Sequence, residues 1–422
     1  MAVNQHNASP ITNWAVLAVV AMGVLVGPAC ARKEREQPTI EFCGTSHPLD
    51  TTRVVCHSAT DLSPLAKLTK LSYLDLRSYG ERRLLSDLTP LAGLTELETL
   101  NVAKTWIVDL QPLAKLTRLR SLDLSETAVV DLTPLGSLRL EVLHLRDAKE
   151  LSDASFRALA RLTTLTDLIL DGTQIKDLTP VRTLTGLDWL SLGRTKVTDV
   201  AVLASLPKLR SLNVGLTDVS DLGPLATITT LRSLDVDATK VTDVTPLAKL
   251  VGLHYLDIGR TNIAAVGPLA SLTGLQTLRL PRGDVDLAPL AALVNLTDLH
   301  AEVEGALRLF SKTAFPKLEI LWLESTAARA REPRPVTDLS PLANLPALRD
   351  LSLVRLRVDD LAPTVRTGTL REIQLHDVVV ASLAPLIAHK GLVRLGWYLL
   401  SKPTDQQLKE LRMARPDLKV AY

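Results

Sequence analysis

A unit of 22 residues recurs along most of this chain, and no other feature so restricts what it can fold into. Written as L-x-x-L-x-x-L-x-x-L-x-L-x-x-T-x-V/I-x-D-L-x-P, it fits Leu91–Pro112, Leu113–Pro134, Val181–Val202, Leu203–Pro224, Leu225–Pro246 and Leu247–Pro268 without a gap. The period changes inside each unit. In LHYLDI the apolar residues Leu253, Leu256 and Ile258 end in alternation, which marks a short strand with one buried face. In DVTPLAKL an Asp precedes a Pro-containing turn and a short helical segment carrying Leu247 and Leu250 three apart. One copy cannot bury its leucines alone; stacked copies can, because each strand pairs with the next and the leucines form a continuous column. Apolar residues make up 46% of the 422 but aromatics only 3%, so this core is aliphatic. Length alone would suggest two or three domains, but a coil grows by adding turns rather than by splitting.

Some copies depart from the pattern. Residues 135–158 lose a residue and then lengthen into LSDASFRALARL, which reads as a convex-side α-helix. Across 281–341 the Thr position becomes Gly283 and then Glu304, and AARAREPRP (Ala327–Pro335) follows a strand as an insertion expected to project from the surface. After about Leu400, Thr404 with Gln407 reads as a capping box, Leu408 and Leu411 as a helical apolar face, and Leu418-Lys419-Val420 as a last strand. This segment has the polar outer side that a terminal unit needs.

The repeat resembles the internalin-type bacterial leucine-rich repeat over roughly residues 61–400. The resemblance implies an α/β fold: a curved right-handed leucine-rich-repeat solenoid of about fifteen units, with a parallel β-sheet on the concave face and short 3₁₀/α segments on the convex face. Internalins favour Asn after L-x-L-x-x, where it bonds the turns of neighbouring repeats. Here the position is held by Thr105, Thr127, Thr173, Thr195, Thr217, Thr239, Thr261 and Thr326, and a ladder of hydroxyls is expected to do the same work.

Residues 1–30 carry the apolar run Trp14–Val26, about the length of a signal-peptide core and short for a span that needs roughly 20 residues. Gly27-Pro28-Ala29-Cys30 resembles a bacterial lipoprotein signal, which implies lipidation at Cys30. Arg32, Lys33 and Arg35 lie after the run, so an uncleaved helix with that side in the cytoplasm stays open. Cys43 and Cys56 then remain of the three cysteines, in two β-type segments within a linker and N-terminal cap at 31–60. A disulfide there would close a short loop and favour an oxidising compartment. The organisation expected is therefore signal or anchor (1–30), cap (31–60), solenoid (61–400) and C-terminal cap (401–422).

Little in this sequence points to reaction chemistry. Asp87, Asp109, Asp131, Asp177, Asp199, Asp221, Asp243, Asp338 and Asp360 keep the repeat spacing before the Pro and read as turn-capping acceptors. Of the eight histidines, His144, His300 and His376 sit on separate strands, too far apart to share one metal. Arg282-Gly283-Asp284 spells an adhesion tripeptide that three residues match easily by chance. No H-E-x-x-H, G-x-S-x-G, P-loop or dinucleotide glycine motif is present. A net charge of +2 with no basic cluster gives no argument for nucleic acid.

What varies is the outward position of each strand, and the candidate protein-binding face is Tyr73, His144, Arg146, Asp171, Trp189, Asp235, Asp237, Tyr255, Asp257, Arg279, His300 and Trp322. Asp235 and Asp257 share a column on adjacent strands, about 5 Å apart, and call for a cation: a salt-bridge lattice with Arg260 and Arg279, a partner's basic side chain, or a metal. The lattice is preferred and no metal or cofactor is expected. The function expected is a non-enzymatic scaffold, exported to the cell envelope and lipid-anchored there, periplasmic or surface-exposed, holding a protein or peptide on its concave face. The alternative is a cytoplasmic, membrane-anchored regulatory subunit of an enzyme.

Overall fold

The structure is a computed structural model that describes residues 38–421 apart from 81–83, 282, 284, 314, 326–333, 337 and 399–403, with backbone alone for 334–336. The run Trp14–Val26, Cys30, Thr326 and the two charged residues of the adhesion tripeptide lie outside the described residues.

Seventeen parallel strands, from Arg53–Val55 to Lys419–Ala421, form one sheet in which each repeat contributes a strand. Leu212 aligns with Leu190 on one side and Leu234 on the other, so equivalent positions of successive turns meet without slippage. The first strand pairs with Tyr73–Asp75 and the last with Arg394–Gly396, which leaves the sheet open at both ends. This is the solenoid expected. Its core is a continuous body of leucines: Leu190, Leu234, Leu256, Leu278 and Leu375 are all fully buried. Each such side chain is worth about 2–5 kcal/mol against truncation to Ala.

Short 3₁₀ helices such as Thr245–Lys249 and Gly267–Ser271 return the chain on the opposite side. The recurrent Asp carboxylate opens each one by accepting the amide N–H two residues on, as Asp243 does from Thr245 at 2.8 Å and Asp199 from Ala201 at 2.7 Å. These acids are the turn caps that their spacing implied.

The threonines differ from expectation. Each buried hydroxyl donates to the carbonyl three residues earlier in its own turn, Thr217 Oγ1 to Val214 O at 2.5 Å and Thr261 Oγ1 to Ile258 O at 2.6 Å. The ladder therefore locks each turn internally instead of tying neighbours together. A γ-hydroxyl is too short to reach across roughly 4.8 Å of strand spacing once it has satisfied a local carbonyl. The residue before each Thr takes a left-handed backbone, among them Lys104, Glu126, Arg194, Leu216, Ala238 and Arg260. That conformation costs a non-glycine residue roughly 1 kcal/mol or more, so the local bonds must hold it in place.

At the amino end, a hairpin of Thr39–Phe42 and Thr45–Pro48 adds Ile40 and Phe42 to the core, and Cys43 is disulfide-bonded to Cys56 with Cα atoms 6.1 Å apart. The lengthened repeat gives only one α-turn, Asp153–Phe156, running on into the 3₁₀ segment Arg157–Arg161. A fuller helix, Val303–Phe310, comes where no helix was expected. Glu302 caps it by accepting from the Glu304 and Gly305 amides, and its buried Val303, Ala306 and Phe310 recur at helical spacing. The insertion at 327–335 is not wholly a projecting loop: Arg334–Val336 is a strand of a second parallel sheet with Leu356–Val358 and Val379–Val380. The terminal helix Asp405–Ala414 opens with the Thr404–Gln407 capping box. Among the described residues no helix is long and apolar enough to cross a membrane.

Candidate protein-interaction face

Alternation turns the residues on either side of each strand leucine away from the core, so the sheet presents three outward columns. The register fixes their order. One column runs Trp189, Ser211, Ser233, Tyr255; the next Ser191, Asn213, Asp235, Asp257. Backbone pairing continues a third through Gly193, Gly215, Asp237 and Gly259. Trp189 and Tyr255 are thus two aromatic posts three strand spacings apart, about 14 Å, with only small residues between them in their column.

The floor between the posts is acidic and unusually close-fitting. A Cβ on Gly193 would lie 2.6 Å from Asp171 Oδ1, and one on Gly215 would lie 3.0 Å from Asp235 Oδ1, so carboxylates occupy the space that side chains would fill. Asp171 and Asp257 are consequently buried, 7% and 5% exposed, where the outward alternation had suggested solvated acids. Asp257 Oδ1 accepts the Gly259 amide at 2.9 Å, Oδ2 lies 3.3 Å from Arg279 Nη1, and Tyr255 donates to Oδ2 at 3.4 Å. Asp237 pairs with Arg260 through both guanidinium branches. Asp235 accepts the Asp237 amide at 2.9 Å and, among the described residues, has no ion pair. Burial and then the neighbouring Asp257 carboxylate push its pKa up to about 7. Burial also raises that of Asp257. The expected lattice with Arg260 and Arg279 therefore exists but compensates two of the three acids.

The second column explains a role that spacing did not reveal. Asn101, Asp123, Asn213, Asp235 and Asp257 each accept the amide two residues on, at 2.8–2.9 Å. Such a bond diverts that N–H from the sheet and ends the strand. The signal was legible, since every residue doing this is Asx and precedes the Thr by four.

Other expected residues lie on either side. Tyr73 is at the first turns, with the Arg53 guanidinium 3.6 Å above its ring. His144 is half-buried, and desolvation holds its pKa below the ordinary imidazole value; Arg146 beside it is exposed. Asp171 accepts from Ser191 Oγ at 2.9 Å, while Arg194 reaches over Gly172 to Asp147 at 3.1 Å. Past Arg279 the face becomes aromatic. His300 stacks on Trp322 with centroids 5.4 Å apart, Trp322 meets His376 at 5.1 Å, and His376 stacks on Tyr398 at 4.7 Å. Trp322 thus stands between two histidines that the sequence placed too far apart to cooperate. His376 and Tyr398 were missed because they occupy the third column of strands that run five residues there, Glu372–His376 and Arg394–Tyr398. Among the described residues no three His, Cys, Asp or Glu side chains are grouped to hold a metal.

A model described as a leucine-rich repeat region matches residues 118–372, more than half of the chain. An internalin from Listeria monocytogenes superposes with a TM-score of 0.53 at 25% identity, covering 84% of this chain and 88% of that one. A leucine-rich-repeat protein of Leptospira interrogans gives 0.52 at 16% identity, with coverage of 85% and 86%. A plant peptide hormone receptor, solved in complex, gives 0.50 at 14% identity, with coverage of 85% and 67%; these last two likenesses are of fold. No curated protein sequence matches significantly.

Proposed function

We propose that this chain, which belongs to the leucine-rich-repeat family, is a non-enzymatic scaffold that holds a protein or peptide ligand on the concave face of its sheet. The observation that carries this reading is the contrast between the two sides of one strand. Inward leucines are repeated almost unchanged, while outward positions range over Trp189, Asp235, Tyr255, Arg279 and Trp322 on a backbone fixed by seventeen paired strands. A rigid surface with aromatic and charged anchors loses little entropy on binding. The Listeria neighbour, an internalin at 25% identity, shares this repeat architecture over most of both chains.

Export and lipid attachment at Cys30 belong to the same proposal. The Cys43–Cys56 disulfide supports them, since such bonds persist outside the cytosol, and it weighs against the cytoplasmic regulatory subunit. Intact mass of the membrane-extracted protein tests this: a mature chain starting at a diacylated Cys30 agrees, and an intact Met1 terminus with two free thiols refutes it. For the binding face, replacing Trp189 and Tyr255 with Ala should leave thermal unfolding nearly unchanged and weaken capture of peptides selected against the chain; undiminished capture would refute the concave site.

A further inference from the structure

We infer that one flank of the first turns is a bilayer-contact surface, where Leu84, Trp106, Val108 and Val130 dip into the headgroup layer of the membrane that holds the anchor at Cys30. This goes beyond concave-face binding and rests on the lipid attachment proposed above. Between each concave strand and its 3₁₀ helix the chain runs extended down one side of the coil. Trp106 N–H donates to Leu85 O at 2.8 Å and Ala128 N–H to Ile107 O at 3.1 Å, so equivalent residues of successive turns lie side by side there. Leu85, Ile107 and Val129 are buried, and the residues on either side of them face outward.

Those outward positions are apolar. Leu84 is 58% exposed, Trp106 56%, Val108 53% and Val130 47%, with half-buried Ala128 in the same row as Val130. Farther along the coil the same two positions hold Lys196 and Thr198, Asp218 and Ser220, then Lys240 and Thr242, all exposed, and Lys240 pairs with Asp218 at 2.8 Å. The flank is thus apolar near the amino end and polar beyond it, although keeping the leucine core dry asks nothing of these side chains. Contiguous exposed apolar residues mark a contact surface, and a Trp among aliphatic side chains suits a membrane–water boundary.

Chain length selects the occupant. From Cys30 to Pro38, the first described residue, there are eight residue steps, which reach at most about 26–29 Å. The turns that carry the patch lie within three strand spacings of Arg53–Val55, the first strand of the sheet, about 14 Å. A diacylated Cys30 therefore keeps the apolar turns within reach of the bilayer, while the polar turns of the same flank lie farther along. Lys104 is paired with Glu126 at 3.5 Å, and the capping acids Asp87, Asp109 and Asp131 border the patch. Contact comes from apolar burial, not from attraction to anionic lipid.

The test places a nitrobenzoxadiazole dye on one introduced cysteine, Val130→Cys in one protein and Thr198→Cys in another, Cys43 and Cys56 being bonded to each other. Each full chain, purified from membranes in detergent, is reconstituted into phosphatidylcholine vesicles with and without spin-labelled lipid. The dye at 130 should shift to the blue and be quenched by the spin label, and the dye at 198 should do neither. Adding Trp106→Asp and Val108→Asp should bring quenching at 130 down to the level at 198; both sites are exposed, so the thermal transition should stay nearly unchanged. Equal quenching at the two positions, quenching at neither, or quenching indifferent to the Asp pair overturns the inference. So does a blue shift at 130 that grows with protein concentration in detergent and needs no bilayer, which would assign the patch to a second copy. Intact mass of the same samples reads the anchor separately. A diacylated Cys30 without quenching at 130 overturns flank docking and leaves the anchor standing, whereas quenching confined to 130 in a chain without acyl groups supports docking and overturns the anchor.

Discussion

From Thr99–Asn101 to Thr277–Arg279 the strands of the concave sheet are three residues long, whereas from Asp298–Glu302 to Arg394–Tyr398 they are five. In the shorter set every strand but Val142–His144 and Thr277–Arg279 ends with an Asx acceptor, a Thr hydroxyl, or both. The longer set has His300, Trp322, Ser352, Gln374 and Gly396 in the Asx column, and Glu304, Leu356 and Val378 where Thr would be, Thr326 after the Trp322 strand being the exception in sequence. Side chains that compete for backbone groups favour a short strand, and where successive turns lack the Asx acceptor the ladder runs on by two residues, Val142–His144 and Thr277–Arg279 staying short beside neighbours that turn. The freed third column then carries His376 and Tyr398, so the same change that lengthens the strands builds the aromatic row. In the opposite direction, glycines at the third column of the central turns let carboxylates sink into the sheet. One fold thus carries an acidic saddle and an aromatic row, separated by which residues are allowed to end a strand.

The comparison can be broken first at the core that both regions share. Leu234→Ala and Leu375→Ala each remove a fully buried leucine and should each cost about 3 kcal/mol in urea unfolding. A much smaller loss at Leu375 would mean that the long-stranded region is not part of the same cooperative coil.

The next test is titration, because the two regions should respond to pH with opposite sign. Asp235 has a folded pKa raised to about 7, so the folded chain holds a proton that the unfolded chain has released above about 4, and stability from this group falls as pH rises through 4 to 7. Asp235→Asn should therefore stabilise the chain by about 2 kcal/mol at pH 8 and hardly at all at pH 4. His376 has a folded pKa lowered by burial, so its unfolded form takes up the proton first and stability is lost as pH falls below about 6.5. His376→Gln should remove that acid-side loss. Hydrogen exchange read separately on the two regions at pH 5.5 and 8 checks both, and parallel responses would sink the contrast.

Smaller still is the hydroxyl lock. Thr217→Val leaves the Val214 carbonyl unpaired in a buried turn and should cost about 1–2 kcal/mol, while the reverse change, Val378→Thr, should be nearly neutral or shorten the Glu372–His376 strand. Retained protection of the short-strand turns in Thr217→Val would show that the Asx acceptor alone ends the strand.

Much of the architecture was legible in the residues. The 22-residue spacing placed each leucine inward and each capping Asp at its 3₁₀ helix, because both depend on neighbours within one turn. Even the Asx bonds were readable as Asp or Asn four residues before Thr. The helix Val303–Phe310 was hidden among broken repeats, and the partner of each Thr was mistaken because a local carbonyl is nearer than a neighbouring turn. Of the binding-face residues, the sequence supplied the column each belongs to but not its depth: Asp171 is buried over Gly193 of the next turn and Asp257 beside Gly259 of its own.

The sequence by itself determined the repeat, the inward and outward alternation and the local turn chemistry, since these are set by period and by bonds spanning two to four residues. Only the tertiary structure decided how residues from different turns meet. It kept Val142–His144 three residues long although His144 and Ala148 hold its Asx and Thr positions, between neighbours that turn there. It also raised Asp235, left Asp171 without a second donor, and brought His300, Trp322, His376 and Tyr398 into one row. Solvent exclusion and through-space contact depend on the stacking register of whole turns, a quantity no single repeat contains.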